Sequence, residues 1–270
     1  MLTNQTPTGA PISVFLFAHQ DDEYGVYELI HRAVEQGRRA VCIYMTSGVR
    51  SGADASIRDR ESLAVLADMG VPADDVIFAG AKLAISDLHL HESLDVACDW
   101  LEAWLKDHAP IGEIFVTAWE GGHPDHDCLH AVTLHACARA GLPDIVHQYS
   151  LYNAHARPKP FFRVMAPLPQ NGAVQLTPIP WSRRMQYLRY TLLYTSQRGT
   201  WIGLFPFMLL HYVFWGTQAV QRTSITRLAD KPHQGQLYYE ARQFATWSDV
   251  QLRIQALLAR DRDAASAKGE

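Results

Sequence analysis

Five short and almost uninterrupted apolar runs, at 12–18, 40–46, 75–79, 113–118 and 145–151, recur along the first 150 residues with amphipathic segments between them. Runs that are apolar at both odd and even positions leave no side for solvent, so they predict strands covered on both faces, as in a parallel sheet. The intervening segments read as crossover helices. "EYGVYELIHRAVEQG" ends at Gly37, a suitable residue just past a helix C-terminus, and "HESLDVACDWLEAWLKDHA" sets Leu94, Ala97, Leu101, Trp104 and Leu105 on one face with acids opposite. Strand and helix in alternation predict an α/β fold with a doubly wound, mostly parallel, Rossmann-like sheet.

Beyond about residue 152 the pattern loosens into the proline-rich stretches "ARPKPFF" and "APLPQNGAVQLTPIPW". Helices are predicted over 181–198 and about 203–220, a strand in "QLYYEARQFAT", and an amphipathic terminal helix over 246–260. No linker long enough to separate an independent unit is visible. The expected organisation is therefore one domain over 1–270: a core at about 12–150, a pocket-shaping region at about 151–260, and a polar tail at 261–270 without fixed structure.

Composition narrows the function. A net charge of -4 without a basic block argues against nucleic acid as partner. Cys42, Cys98, Cys128 and Cys137 form no C-x-x-C pair and read as reduced core thiols, which suits the cytoplasm. The polar start "MLTNQTPTGAP" has no signal-peptide pattern. Segment 199–216, "GTWIGLFPFMLLHYVFWG", is free of formal charge but short for a span of about 20 residues and broken by Pro206. A helix lining a core or pocket is the preferred reading, ahead of contact with a membrane or partner.

Ligands of open α/β sheets gather at the carboxyl ends of strands. Two such ends are rich in polar residues: "AHQDDE" supplies His19, Asp21, Asp22 and Glu23, and "EGGHPDHD" supplies Glu120, His123, Asp125, His126 and Asp127. A dinucleotide fold would need a glycine-rich turn after the first strand, where this chain has carboxylates. First-turn helix acids account for Glu23 and Asp127, but not for histidines beside acids at both ends. Histidines and carboxylates meeting from two strands can instead hold a divalent metal, which offsets the mutual repulsion of the acids.

"AHQDDE" and "GGHPDH" resemble the AHPDDE and HPDH signatures of the PIG-L/LmbE-like zinc deacetylases, in the same order and about 100 residues apart. "IRDRESLAVLADMGV" resembles the R-x-x-E helix of that family. The resemblance covers residues 12–150 well and implies an LmbE-like fold and hydrolysis of an amide, usually an acetyl group on an amino sugar. Carried over by residue, it implies His19, Asp22 and His126 as zinc ligands, Asp21 as general base, His123 as a partner of the oxyanion with Asp125 orienting it, and Arg58 and Asp87 as substrate contacts. That role of His123 holds if its ring is protonated. Gln20 departs from the family's proline.

Ferrous iron suits the same ligand set. The expected partner is a small N-acyl amino sugar or glycoconjugate, with an amidase for longer acyl chains or conjugates as the alternative and an inactive binding protein on the same fold as a further one. Oligomeric state stays open, a homo-oligomer included.

Overall fold

A computed structural model describes residues 11–158 and 161–266, with side chains to residue 260. The start of the chain read above for a signal peptide, residues 1–10, and positions 267–270 of the expected tail lie outside the described residues.

The predicted parallel strands form β1 (Ile12–Phe17), β2 (Ala40–Tyr44), β3 (Val76–Phe78), β4 (Ile111–Thr117) and β5 (Val146–Tyr149). A short ribbon follows, β6 (Tyr152–Asn153) against β7 (Arg163–Val164). Two further strands, β8 (Val174–Pro178) and β9 (Thr217–Arg222), extend the main sheet antiparallel, giving seven strands in the order β3-β2-β1-β4-β5-β9-β8. The fold is thus the expected mostly parallel α/β sheet.

Alternation along β1 divides the core. Val14 and Leu16 pack with α4 (Leu94–Asp107), α5 (Pro124–Arg139) and α9 (Trp247–Ser266) on one face. Phe15 and Phe17 pack with α1 (Tyr27–Glu35), α2 (Ser56–Asp68), α6 (Trp181–Tyr190) and α7 (Arg198–Phe214) on the other. Two single-turn helices, α3 (Ala79–Lys82) and α8 (Tyr238–Ala241), complete the set discussed below. Since β1 leads to β2 on one side and has β4 on the other, the sheet order reverses between β1 and β4. Both polar motifs leave their strands at this switch point.

The second half departs from its sequence reading. The helix expected over 203–220 ends at Phe214, because Gly216 adopts φ +56 and Arg184 donates to the carbonyls of Tyr212 and Gly216, freeing the chain to become β9. The helix expected over 181–198 stops at Tyr190, and the stretch read as proline-rich loop contains β8. "QLYYEARQFAT" is not a strand. Glu240 accepts the N–H groups of Leu237 and Trp247 at 2.9 and 3.2 Å and holds one helical turn, α8. The terminal helix continues to Ser266, into the stretch expected to be an unstructured tail.

Helix α7 buries Trp201, Leu204, Met208 and Tyr212 and exposes Ile202, Leu210, Val213 and Phe214, so it lies half-buried on the sheet layer. Among the described residues, no helix is long and apolar enough to cross a membrane. All four cysteines are buried and free.

Candidate metal centre

The end of β1 is a tight turn built on side chains. Asp21 sits at φ 105°, a left-handed conformation that costs a non-glycine residue roughly 1–3 kcal/mol and must be held by its surroundings. Glu23 accepts the Asp21 N–H at 2.8 Å and the Tyr44 hydroxyl, and the Asp22 carboxylate accepts the His19 N–H at 2.8 Å. Glu23 therefore ties the turn rather than opening the following helix. From α2, Arg58 donates to the carbonyls of Gly48 and Gln20 and pairs with Asp21 Oδ1 at 3.1 Å.

Gln20 now has a definite environment. It is fully buried, and its Nε2 donates to Asp59 Oδ1 at 2.6 Å and to the Ser47 carbonyl at 3.2 Å, tying the turn to α2 and to the β2–α2 loop. A proline there could not make this link.

The end of β4 is built on glycines and buried acids. Gly121 has φ +70, and a Cβ on Gly122 would overlap the carbonyl oxygen of Tyr152. Glu120 accepts from Leu151 N at 2.6 Å, Tyr152 N at 3.0 Å, Asn153 Nδ2 at 3.0 Å and the Ser150 hydroxyl. Asp127 Oδ1 accepts the N–H groups of Glu120 and Gly121 at 3.2 and 3.1 Å. These two acids brace the loop. Pro124 opens α5 with His123 at its N-cap, which places His126 within the first turn.

Together the two ends bring His19, Asp21, Asp22, His123, Asp125 and His126 into one cluster, with Asp87 arriving from the loop after α3. Donor nitrogens of His19, His123 and His126 lie within 4.8 Å of one another. Asp22 stands between two of them, its oxygens 3.5 Å from His19 Nδ1 and 3.2 Å from His126 Nε2. Asp87 Oδ1 lies 3.1 Å from His19 Nε2 and 3.9 Å from His123 Nε2. The residues fit a divalent cation on one observation above all: His126 Nδ1 is buried without a hydrogen-bond partner, and its buried Nε2 faces only the Asp22 carboxylate at 3.2 Å. Two imidazoles and a carboxylate, with a cavity beside them, are the donor types of a three-ligand site with a position left open.

Charge at the cluster is sharply divided. Burial pushes the Asp21 carboxyl up to about 7, with Asp22 and Glu23 adding to the rise and Arg58 opposing it. Asp22 is buried too, yet His126 and His19 hold it well below the usual range. Burial disfavours a charged His19, but hydrogen bonds that the ring donates to the carboxylates of Asp125, Asp22 and Asp87 outweigh it and raise the ring well above 6.5. His123 is the opposite case, lowered to about 3 by burial and by the neighbouring His19 charge.

The hydrogen bond expected between Asp125 and His123 is not formed. Asp125 Oδ2 is 4.0 Å from His123 Nδ1, and the Asp125 carboxylate is taken by Leu88 N at 2.7 Å, Leu90 N at 3.1 Å and His19 Nε2 at 3.1 Å. His123 Nδ1 instead accepts the N–H of Asp125 at 3.3 Å. An accepting Nδ1 leaves the proton of a neutral ring on Nε2. Arg58 also differs from a free substrate contact, since its two terminal nitrogens donate to Gly48, Gln20 and Asp21. Glu61, three residues on, does not pair with it; Glu61 accepts from Thr195 Oγ1 at 2.8 Å and from Ser196 N and Oγ at 2.9 and 2.5 Å.

The cluster opens into a cavity of about 360 Å³, lined by His19, Asp21, Asp22, Arg58, Asp87 and His123, with His126 and Asp125 behind the wall. The second half supplies Tyr152, Phe162, Gln197, Leu204, Tyr238 and Arg242. Of these, Leu204 falls in segment 199–216, read above as a helix lining a core or pocket, and Gln197 in the polar run "YTSQRGTW". His130 stays outside the cluster, its Nδ1 held 2.8 Å from the Thr117 carbonyl, and His89 Nδ1 faces the carbonyl of Asp87.

A sequence model of the PIG-L family, described as GlcNAc-PI de-N-acetylase, matches residues 14–137. No curated protein sequence matches the chain. Among solved structures, the zinc-inhibited form of a teicoplanin deacetylase is similar at 16% identity over 78% of this chain and 98% of that one, with a TM-score of 0.60. The N,N'-diacetylchitobiose deacetylase from Pyrococcus horikoshii, in complex with an inhibitor, is similar at 16% identity over 87% and 91%, with a TM-score of 0.57. At these identities the likeness speaks for the shared fold. The match over residues 14–137 takes in both motifs, at the β1 and β4 ends, so that this part of the chain is similar to the PIG-L family.

Proposed function

We propose that the chain is a metal-dependent N-deacetylase of amino sugars or their conjugates, with His19, Asp22 and His126 holding the metal. The observation that carries this reading is Asp21. It is a buried carboxylate beside the candidate ligands, facing the cavity with a pKa of about 7, the property a general base needs near neutrality. A zinc or ferrous ion bound there supplies an acidified water, with a pKa brought toward about 7, and polarisation of the acyl carbonyl.

The chain's own residues do the rest. Asp21 takes the proton of the attacking water and returns it to the departing amine. Neutral His123 offers its Nε2–H to the developing oxyanion, which requires no imidazolium. Asp125 acts through Leu88 and Leu90, holding the Asp87 loop against α5, and Asp87 presents a carboxylate to substrate hydroxyls. Arg58 keeps Asp21 in its left-handed conformation. Four buried thiols suit a cytoplasmic setting, and we read the chain as one working domain.

The test is release of primary amine from a panel of N-acetylated amino sugars and glycosides. Amine release that a chelator abolishes and added zinc or iron restores is the expected result; no release with either metal sinks the reading. One observation favours a second substrate range. Gly199, Thr200, Gly203 and Leu204 of α7 line the cavity, and the helix continues outward with an exposed apolar face. Acyl chains longer than acetyl would then be cleaved better, which a chain-length series measures directly.

A further inference from the structure

Histidine rings meet one another at two places among the described residues. One is the His19, His123 and His126 cluster. The other is His155, in the turn after β6, with His233, in the loop before α8; their ring centroids are 5.5 Å apart. His233 is 3% exposed, and both His155 Nδ1 and His233 Nε2 are buried without a hydrogen-bond partner. Two polar nitrogens have thus lost their water and gained nothing from the protein in exchange.

The protonation of His233 suits a ligand. Its Nδ1 lies 2.8 Å from the Gln234 carbonyl, which can only accept, so Nδ1 carries the proton and the neutral ring presents a lone pair at Nε2. A carbonyl on the far nitrogen is the usual support of a metal-bound imidazole. Burial lowers the ring below 6.5, with His155 and Lys231 adding to the fall and the Gln234 bond opposing it. The Lys231 charge is itself matched by Glu240 at 2.9 Å. With metal–nitrogen bonds of about 2.0–2.1 Å and a tetrahedral angle, two imidazole centroids stand about 5 Å apart. The observed separation is close to that.

Both segments are held in place. Asn153 Oδ1 accepts the His155 N–H at 3.2 Å, and the Pro232 carbonyl accepts from Arg227 Nη2 at 3.1 Å and Gln170 Nε2 at 3.4 Å. We infer that His155 and His233 form a second metal site, separate from the catalytic centre, for a borderline divalent ion such as zinc. Imidazole nitrogens favour such ions over magnesium or calcium. The ion ties the turn after β6 to the loop before α8. Tyr152 and Tyr238, beside those segments with rings 5.5 Å apart, both line the catalytic cavity, so the tie braces that wall. The inference does not rest on the deacetylase reading.

Chelator-stripped wild type, His155→Gln, His233→Asn and His126→Ala are titrated with zinc by calorimetry. Wild type is expected to bind two zinc ions per chain. Loss of even an outer partner of a ligand costs about 10–100-fold in metal affinity, so His155→Gln and His233→Asn should each weaken one of the two ions at least about tenfold. His126→Ala should keep the ion that those variants lose. His155 is half-buried, so its variant carries the test even where His233→Asn fails to fold. Zinc binding of the same stoichiometry and affinity in wild type and His155→Gln overturns the site, whatever happens at the catalytic centre. A single ion in wild type, lost in His155→Gln and kept in His126→Ala, upholds the site and counts against the catalytic metal instead. No zinc binding by wild type overturns both.

Discussion

The two strand ends that meet at the cluster are built in opposite ways. At β4 the loop is fixed by backbone: Glu120 and Asp127 accept main-chain N–H groups, Gly121 and Gly122 allow a close approach, and α5 starts at once. At β1 the carboxylates of Asp22 and Glu23 also accept main-chain N–H groups, but the turn is tied to α2 through side chains, Arg58 on Asp21 and Gln20 on Asp59. The first arrangement gives rigidity at the cost of tolerance. The second leaves the reactive carboxylate adjustable, because its surroundings set both its conformation and its proton affinity. Substitutions at β4 should therefore strike the fold, and those at β1 the chemistry.

Asp21→Asn tests the β1 side most strongly. Loss of a general base should lower kcat by about 10²–10⁴-fold while the unfolding midpoint in urea stays near that of wild type. A collapse of stability would remove the contrast. On the β4 side, Gly122→Ala should cost about 1–3 kcal/mol in the same unfolding experiment, because the new methyl meets the Tyr152 carbonyl. If that variant keeps its stability and loses only activity, the β4 end is not the scaffold described.

Arg58→Lys keeps the charge but cannot span Gly48, Gln20 and Asp21 together. Its kcat should fall by about 10–100-fold with KM changed little, as expected of a residue that positions the base; a rise confined to KM would return Arg58 to direct substrate binding. Gln20→Ala removes a hydrogen bond one step further from Asp21. A loss of about two- to tenfold in kcat is expected, and no loss would reduce Gln20 to packing.

These contrasts also show which parts of the molecule were legible in the sequence. Strands β1 to β5 announce themselves because burial on both faces demands unbroken apolar runs, and the two motifs could be placed because they follow such runs directly. The second half could not be read this way. Its strand β8 is the sheet edge, with β9 next to it, and polar residues such as Gln175 and Thr217 are tolerated there, while α8 depends on Glu240 reaching Leu237 and Trp247. Site residues were legible as a set but not in their pairings. That Asp125 serves Leu88 and Leu90, and Glu61 serves Ser196, are tertiary facts that spacing does not encode.

The smallest test concerns His130, which anchors α5 to the last residue of β4. Burial holds its ring neutral, with a pKa lowered from 6.5 to about 4, and only its bond to the Thr117 carbonyl opposes the shift. In the unfolded chain the ring takes up a proton below about pH 6.5, whereas in the folded chain it does so near 4. Acidification through that window therefore favours the unfolded state, and this contribution to stability falls with pH and levels off below about 4. Between pH 7 and pH 6 the loss should be less than about 1 kcal/mol, so the measurement needs urea titrations at closely spaced pH values. His130→Asn, which has no proton to gain, should flatten the slope over that interval whatever its effect on absolute stability. An unchanged slope would place the acid sensitivity elsewhere and leave α5 anchored independently of the His130 charge.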